Sequence, residues 1–300
     1  MDATAARARD VREGGRWSLA QRLKNDVLFA LATIAIATAS RVPRRVVRSA
    51  GRAVGALAWL VLPRLRRLAE ENAAEALPGV EPRAFVRCVY RDLGARLGEV
   101  VSGLGRARAP LPFAPGSRDV LASAIAEGRG VVFASAHLGP WEHVAASLVA
   151  HGIPLTAVAR EPYDPRFVAL YARLRQGVRT VYRGADGAGV ALVRVLRRGG
   201  VLGIPMDLAS RVASVEVPFL GRPARTAVGP ARLAIRTGAA LVVGTATPEG
   251  ALFFERIPPS DDEIELTARI NVALGERIRA WPEAWLWMHD RWTTSRMLGP

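Results

Sequence analysis

Cysteine and lysine are almost missing from this 300-residue chain: Cys88 and Lys24 each stand alone. A single thiol excludes an intramolecular disulfide framework and a cysteine metal cluster. Cys88 falls in an apolar-patterned stretch, so it is expected to be a buried structural thiol. Acids are scarce as well, 27 against 42 bases, which leaves a formal charge of +15 carried almost wholly by arginine. An excess of that size favours anionic partners: nucleic acid, an acidic carrier protein or an anionic lipid surface. A genome-level preference for Arg over Lys accounts for the choice of base but not for the deficit of acids. Roughly the first twenty residues are polar and charged and lack the apolar core and small-residue cleavage site of a signal peptide.

A clean apolar run of about 20 residues, the length a spanning helix needs, is also missing. The longest covers residues 27–40 (VLFALATIAIATAS) and stops at Arg41. A second, AVGALAWLVL over residues 53–62, ends at Pro63 and is followed by Arg64, Arg66 and Arg67. Apolar helices bounded by arginines suit a segment lying in the membrane interface; the alternative is a hydrophobic helical hairpin packed on the main domain. What the chain does have is core material: half of its residues are hydrophobic and 23% are charged. That balance fits a globular protein and argues against disorder along the whole length.

The texture changes along the chain. Residues 1–18 read as a mobile basic tail, and 19–107 as a helical, membrane-associating region with breaks at Pro43, Pro63 and Pro78–Gly79. A Pro- and Gly-rich loop (RAPLPFAPG, residues 108–116) marks a boundary. From 108 to 300 short apolar strands alternate with helices. Strands are expected at 131–136, 154–159, 178–182 and 201–206, with a hairpin over 241–247 and 252–257. A long helix over 261–279 is expected to be capped by Ser260. Alternation of this kind predicts an α/β fold with a mostly parallel central sheet flanked by helices, preceded by an N-terminal hydrophobic helical region.

The chemistry concentrates in ASAHLGPWE, residues 134–142. His137 is placed at the C-terminal end of a buried strand, where open α/β sheets bind ligands. On an uninterrupted helix Glu142 would point about 140° away from it. Gly139 and Pro140 break that regularity, since glycine permits unusual backbone angles and proline suits a helix's first turn. The turn therefore lets Glu142 fold back as the carboxylate that orients a general-base histidine, which takes the proton of a substrate hydroxyl. Ser135 is nearby, but the nucleophile elbow of a serine hydrolase is missing. His143 does not complete a metal-ligand spacing with His137, so no metal is expected. No nucleic-acid motif or stacking platform accompanies the charge.

Further blocks lie in order around this segment. HLGPWE resembles the H-x-G-N-W-E/D motif of the bacterial lipid A biosynthesis (late) acyltransferases. Arg160 with Asp164–Pro165 resembles that family's R-x-x-x-N/D-P segment, and Arg175 with Gly177 its following helix end. LGIPMD, ending at Asp207, resembles the strand that closes on aspartate; VPFLGRPA, residues 217–224 just after Glu216, is similar to the V-P-F-F-G-R-P-A block. WLWMHDRW, residues 285–292, resembles the closing W-x-W-x-H-x-R element. The likeness extends to phosphatidylinositol mannoside acyltransferases and, more distantly, to H-x4-D glycerolipid acyltransferases. It departs at Pro140, which replaces the usual Asn, at Leu208 and at Leu220.

The resemblance implies a glycerolipid-acyltransferase-like fold and a membrane-associated O-acyltransferase with no cofactor. It implies catalytic His137 and Glu142, and a fatty acyl thioester on acyl carrier protein or coenzyme A as donor. The acceptor would be a hydroxyl of a lipid A precursor or related glycolipid in lipopolysaccharide biosynthesis, at the cytoplasmic face of the inner membrane. The alternatives are another acceptor, such as a lysophospholipid, phosphatidylinositol mannoside or aminolipid, or a non-catalytic membrane-binding relative. Arg160, Arg175, Asp207 and Glu216 are the candidate substrate-binding residues: the arginines for phosphate or developing negative charge, the acids for sugar hydroxyls or for orienting arginines. The tryptophan-rich C-terminal cluster is expected to pack and to anchor at an interface.

Overall fold

Prolines divide the helical N-terminal part, as their missing N–H and fixed φ dictate. In the computed structural model, which describes residues 16–39, 41–103, 108–175, 177–209 and 212–292, helix α1 spans Leu19–Ala39. Helix α2 is Arg44–Val61, entered from Pro43. Pro63 opens α3, Pro63–Ala76, and α4 is Pro82–Gly103. Most of the expected N-terminal tail, Gln176 and residues 104–107 beside the expected boundary lie outside the described residues.

Helices α2 and α4 cross at glycines: a Cβ at Gly55 would fall on the Tyr90 carbonyl, and one at Gly51 on that of Gly94. Backbone therefore meets backbone; Trp59 is buried, and most other large apolar side chains of α2 are left outside. Val54, Leu57, Leu60 and Val61 are exposed, as are Leu23, Val27, Leu31 and Ile34 of α1. No single helix among the described residues is long and apolar enough to cross a membrane; α2 and α3, bent by 94°, pass that test only as a pair.

Helix α5 (Ser117–Ala126) leads into β1, Val131–Ser135, the hub of the sheet. The remaining elements are α6 (Trp141–Ala150), β2 (Leu155–Ala159), α7 (Phe167–Arg175), β3 (Arg179–Tyr182), α8 (Ala188–Arg197) and β4 (Val201–Pro205). A hairpin of β5 (Ser214–Phe219) and β6 (Arg222–Ala227) follows, then α9 (Gly229–Thr237), β7 (Ala240–Ala246), β8 (Leu252–Arg256) and α10 (Glu263–Ala280). Strand order in the main sheet is β3-β2-β4-β1-β7-β8, parallel except for β8. The period of two divides the core: Val132 and Ala134 join one apolar cluster, Val131 and Phe133 the other, on the opposite face. The expected α/β fold with a mostly parallel sheet is the observed one.

Several local expectations need correction. Cys88 is exposed, because α4 turns Val86, Val89 and Tyr90 inward and leaves position 88 outside that stripe. Asp262, not Ser260, caps α10, accepting the backbone N–H groups of Ile264 and Glu265. The β5–β6 hairpin lies where only a motif had been read; its turn, Leu220–Gly221, has positive φ at both residues, the geometry that matches strand twist. Trp285, Trp287 and Trp292 pack in the core, as expected, and are buried there rather than held at an interface. The chain after α10 threads behind the sheet, where the Asn72 side chain donates to the carbonyls of Trp287 and His289.

Candidate active site

Parallel strands in register bring the site together. Ser135, the last residue of β1, pairs with Pro205, the last of β4, and the Met206 N–H donates to the Ser135 carbonyl at 2.9 Å. Two residues beyond each end stand His137 and Asp207. Nδ1 of His137 lies 2.9 Å from Oδ1 of Asp207. Oδ2 accepts the His137 backbone N–H at 2.8 Å and the indole N–H of Trp285 at 2.8 Å. Asp207 is 0% exposed, whereas a quarter of the His137 side chain is open to the cleft. An ionised carboxylate only accepts, so Nδ1 carries the proton and Nε2 of the neutral ring is left as the base.

The electrostatics favour the pair. Burial pulls the His137 pKa down, but the charge and hydrogen bond of Asp207, with help from Glu142, outweigh it and the net shift is upward. Burial opposes ionisation of Asp207; His137, the Trp285 indole and the His137 backbone N–H more than offset it and hold the carboxyl below its ordinary range.

Glu142 does not orient His137 in this geometry. Arg175 takes both of its oxygens, Nε to Oε2 at 3.1 Å and Nη2 to Oε1 at 3.2 Å. The expected turn is present: Gly139 has φ +60° with the Trp281 ring against its α-carbon, and Pro140 caps α6. It sets Trp141 edge-on to His137, ring centroids 5.3 Å apart, and places Glu142 in the first turn of α6, across from the end of α7. Arg175 also reaches Thr180 Oγ1 at 3.2 Å. Burial would lower its pKa, yet the hydrogen bond and charge of Glu142 carry it upward. Arg175 and Glu142 are thus a built ion pair beside the base.

His137, Trp141, Glu142 and Arg175 line a cleft of about 780 Å³ over the C-terminal ends of the strands, and Asp207 is buried behind His137. Arg160 and Arg183 follow β2 and β3 at its rim, side by side because Arg183 N–H donates to the Ala159 carbonyl at 2.8 Å. His143 turns away and meets the Ala109 carbonyl at 3.0 Å. Glu216 is not among the lining residues; it is exposed on β5, paired in register with Arg225. So the structure gathers His137, Glu142, Arg160, Arg175 and Asp207 and leaves Glu216 outside. His289 also lines the cleft, and its pKa is held down chiefly by burial. The likeness of LGIPMD marked Asp207 at a strand end but as a substrate-binding residue, whereas its partners are His137 and Trp285; nothing local to Trp285 pointed to a carboxylate partner.

Residues 19–294 match the family described as bacterial lipid A biosynthesis acyltransferase. The chain is also 31% identical over 212 residues to a phosphatidylinositol mannoside acyltransferase of Mycobacterium tuberculosis (strain CDC 1551 / Oshkosh), covering 68% of this chain and 63% of that protein. A protein of the same name from Mycolicibacterium smegmatis is 30% identical over 183 residues, 58% of this chain and 60% of its own. The chain therefore aligns with less than two thirds of the length of these relatives.

Proposed function

We infer the activity from the family: the chain belongs to the bacterial lipid A biosynthesis acyltransferases, and we propose that it moves a fatty acyl group from a thioester to a hydroxyl of an anionic membrane glycolipid. The observation that carries this reading is the 2.9 Å contact from His137 Nδ1 to buried Asp207 at the mouth of a cleft that is apolar below. Nε2 takes the proton of the acceptor hydroxyl as its oxygen attacks the thioester carbonyl carbon. The new C–O bond forms, the C–S bond breaks, and the imidazolium returns the proton to the departing thiolate. Asp207 stabilises the transient imidazolium and fixes the tautomer. No protein nucleophile is needed.

Arg160 and Arg183 supply positive charge at the rim for phosphate on donor or acceptor. The Glu142–Arg175 pair holds α6 against α7 and so positions Trp141 beside the base. Donors of both kinds, acyl carrier protein and coenzyme A, carry a phosphopantetheine arm that such a rim suits. The acceptor is placed among glycolipids because the family description says lipid A and the relatives' names say phosphatidylinositol mannoside. Exposed leucines, valines and isoleucines on α1 and α2, flanked by arginines, support attachment to an anionic bilayer; the cytoplasmic face is part of the proposal.

Purified protein, an acyl-CoA and a glycolipid extract provide the test, with free thiol and acylated lipid measured together. We expect both to appear with wild type and neither above background with His137→Ala. Equal rates from the two proteins would sink the mechanism. Thioester hydrolysis without acylated lipid would sink transfer.

A further inference from the structure

The cleft has a floor, made by the Phe133 ring of β1 with the Leu155 side chain of β2 beside it. Phe133, 3% exposed, lies one side-chain repeat below Ser135 on β1, roughly 7 Å farther from the strand ends at the usual rise. Gly203 of β4 is its direct partner; on the other side its partner in β7 is Val242, and Gly244 lies one side-chain repeat nearer the strand ends. Neither glycine contributes a side chain. A methyl at Gly203 would stand 3.2 Å from Leu155 Cδ1 and 3.4 Å from Phe133 Cδ1. One at Gly244 would run into the rings of Phe254 and Phe133, at 2.5 and 2.7 Å. The Phe133 ring therefore leans over both glycines and packs on Phe254, centroids 5.4 Å apart. Val144 and Ala145 of α6, with Ala157 of β2, wall the space, while Leu155 of β2, one repeat deeper, reaches up beside the ring. These walls are hydrocarbon, while the base and the arginines sit at the mouth.

We propose that Phe133 sets the length of acyl chain the cleft admits, the thioester carbonyl lying at His137 and the terminal methyl against the ring. The inference rests on the acyl-transfer reading. Each methylene housed above the ring gains burial. The next one must displace a packed aromatic or stay in water, so affinity stops rising at one length.

The test is displacement of a pyrene-labelled acyl-CoA from the full chain by saturated acyl-CoAs of increasing length, followed by transfer rates on the same ladder. Phe133→Leu lowers the floor and is expected to move the optimum to longer chains, with affinity gaining roughly fourfold per methylene newly housed. Gly203→Ala raises the floor and is expected to move it to shorter ones. Ala145→Val narrows the space from the helix side and replaces Gly203→Ala if that variant does not fold. An optimum unchanged in the folded variants, or moved the same way by Phe133→Leu and by a narrowing variant, overturns the proposal. Probe binding that no acyl-CoA displaces, or no probe binding at all, overturns it together with the acyl-donor reading. Opposite shifts in binding without any transfer uphold the floor and sink the transfer reading alone.

Discussion

Replacing Asp207 by Asn removes one charge and almost no volume, so its effect follows from hydrogen bonding and charge rather than packing. Oδ2 receives two donors, the His137 backbone N–H and the Trp285 indole, and Oδ1 faces one, His137 Nδ1. An asparagine has one carbonyl oxygen and one NH₂. The oxygen settles where two donors meet, which puts the NH₂ against Nδ1. His137 then accepts at Nδ1 and carries its proton on Nε2, the atom that has to be a base. The expected loss in kcat is about 10³–10⁴-fold, the scale for a histidine held in the wrong tautomer, while replacing charge-assisted bonds costs about 1–3 kcal/mol of stability. The sign of the pH effect is fixed as well. Transfer requires neutral His137, so kcat/KM rises with pH through its pKa, which in wild type lies above the ordinary ~6.5. Without the Asp207 charge that limb moves to lower pH in whatever activity remains. Initial rates of thiol release and lipid acylation across pH, with circular dichroism as the folding control, decide it. Activity within about tenfold of wild type and an unmoved limb would refute the reasoning.

Arg175→Met should leave the Glu142 carboxylate half-buried without its partner and destabilise the fold by roughly 3–5 kcal/mol; adding Glu142→Gln should recover part of that loss, as a denaturation double-mutant cycle would show. Gly139→Ala faces both a φ of +60° and the Trp281 ring, so a melting temperature close to wild type would contradict the turn geometry; we expect at least about 1–2 kcal/mol of destabilisation. The His137–Asp207 pair should also shape stability against pH. Asp207's contribution, from a depressed pKa, is complete above its unfolded value and lost as pH falls through the folded one; that of His137, from a raised pKa, is complete below its unfolded value and lost as pH rises through the folded one. Urea midpoints across pH for wild type and His137→Gln would expose the second limb. Sedimentation with anionic vesicles should be lost when Leu28, Leu31 and Ile34 become Gln and weakened by salt; binding indifferent to both would argue against the bilayer reading.

The layer architecture was legible because each strand is a short apolar run bounded by turn residues, and because β1 and β7 are covered on both faces and read as continuous hydrophobic segments. The β5–β6 hairpin was not. Val215, Val217 and Phe219 do alternate with Glu216 and Pro218, but Pro218 and Pro223 argue against strands, and the turn uses Leu220 at positive φ, a residue that carries no turn signal. Cys88 misled for a related reason: apolar residues cluster throughout α4, and only packing against α2 decides which stripe is inside.

The site shows the same limit more sharply. His137 and Glu142 are neighbours in the chain, so a turn that joins them could be argued from Gly139 and Pro140 alone. Asp207 lies 70 residues away, and its claim depends on β4 pairing beside β1 with Ser135 opposite Pro205. A one-residue slip would turn the whole strand over and carry Asp207 to the other face. Strand order and register are properties of the assembled sheet, and apolar periodicity is blind to both. Once they are fixed the carboxylates separate by environment. Asp207, fully buried, meets three donors supplied by His137 and Trp285; Glu142, at the helix start, meets a guanidinium from α7. Strand-end position is the better guide to the histidine's partner, since two parallel strands that end together present their next residues to each other.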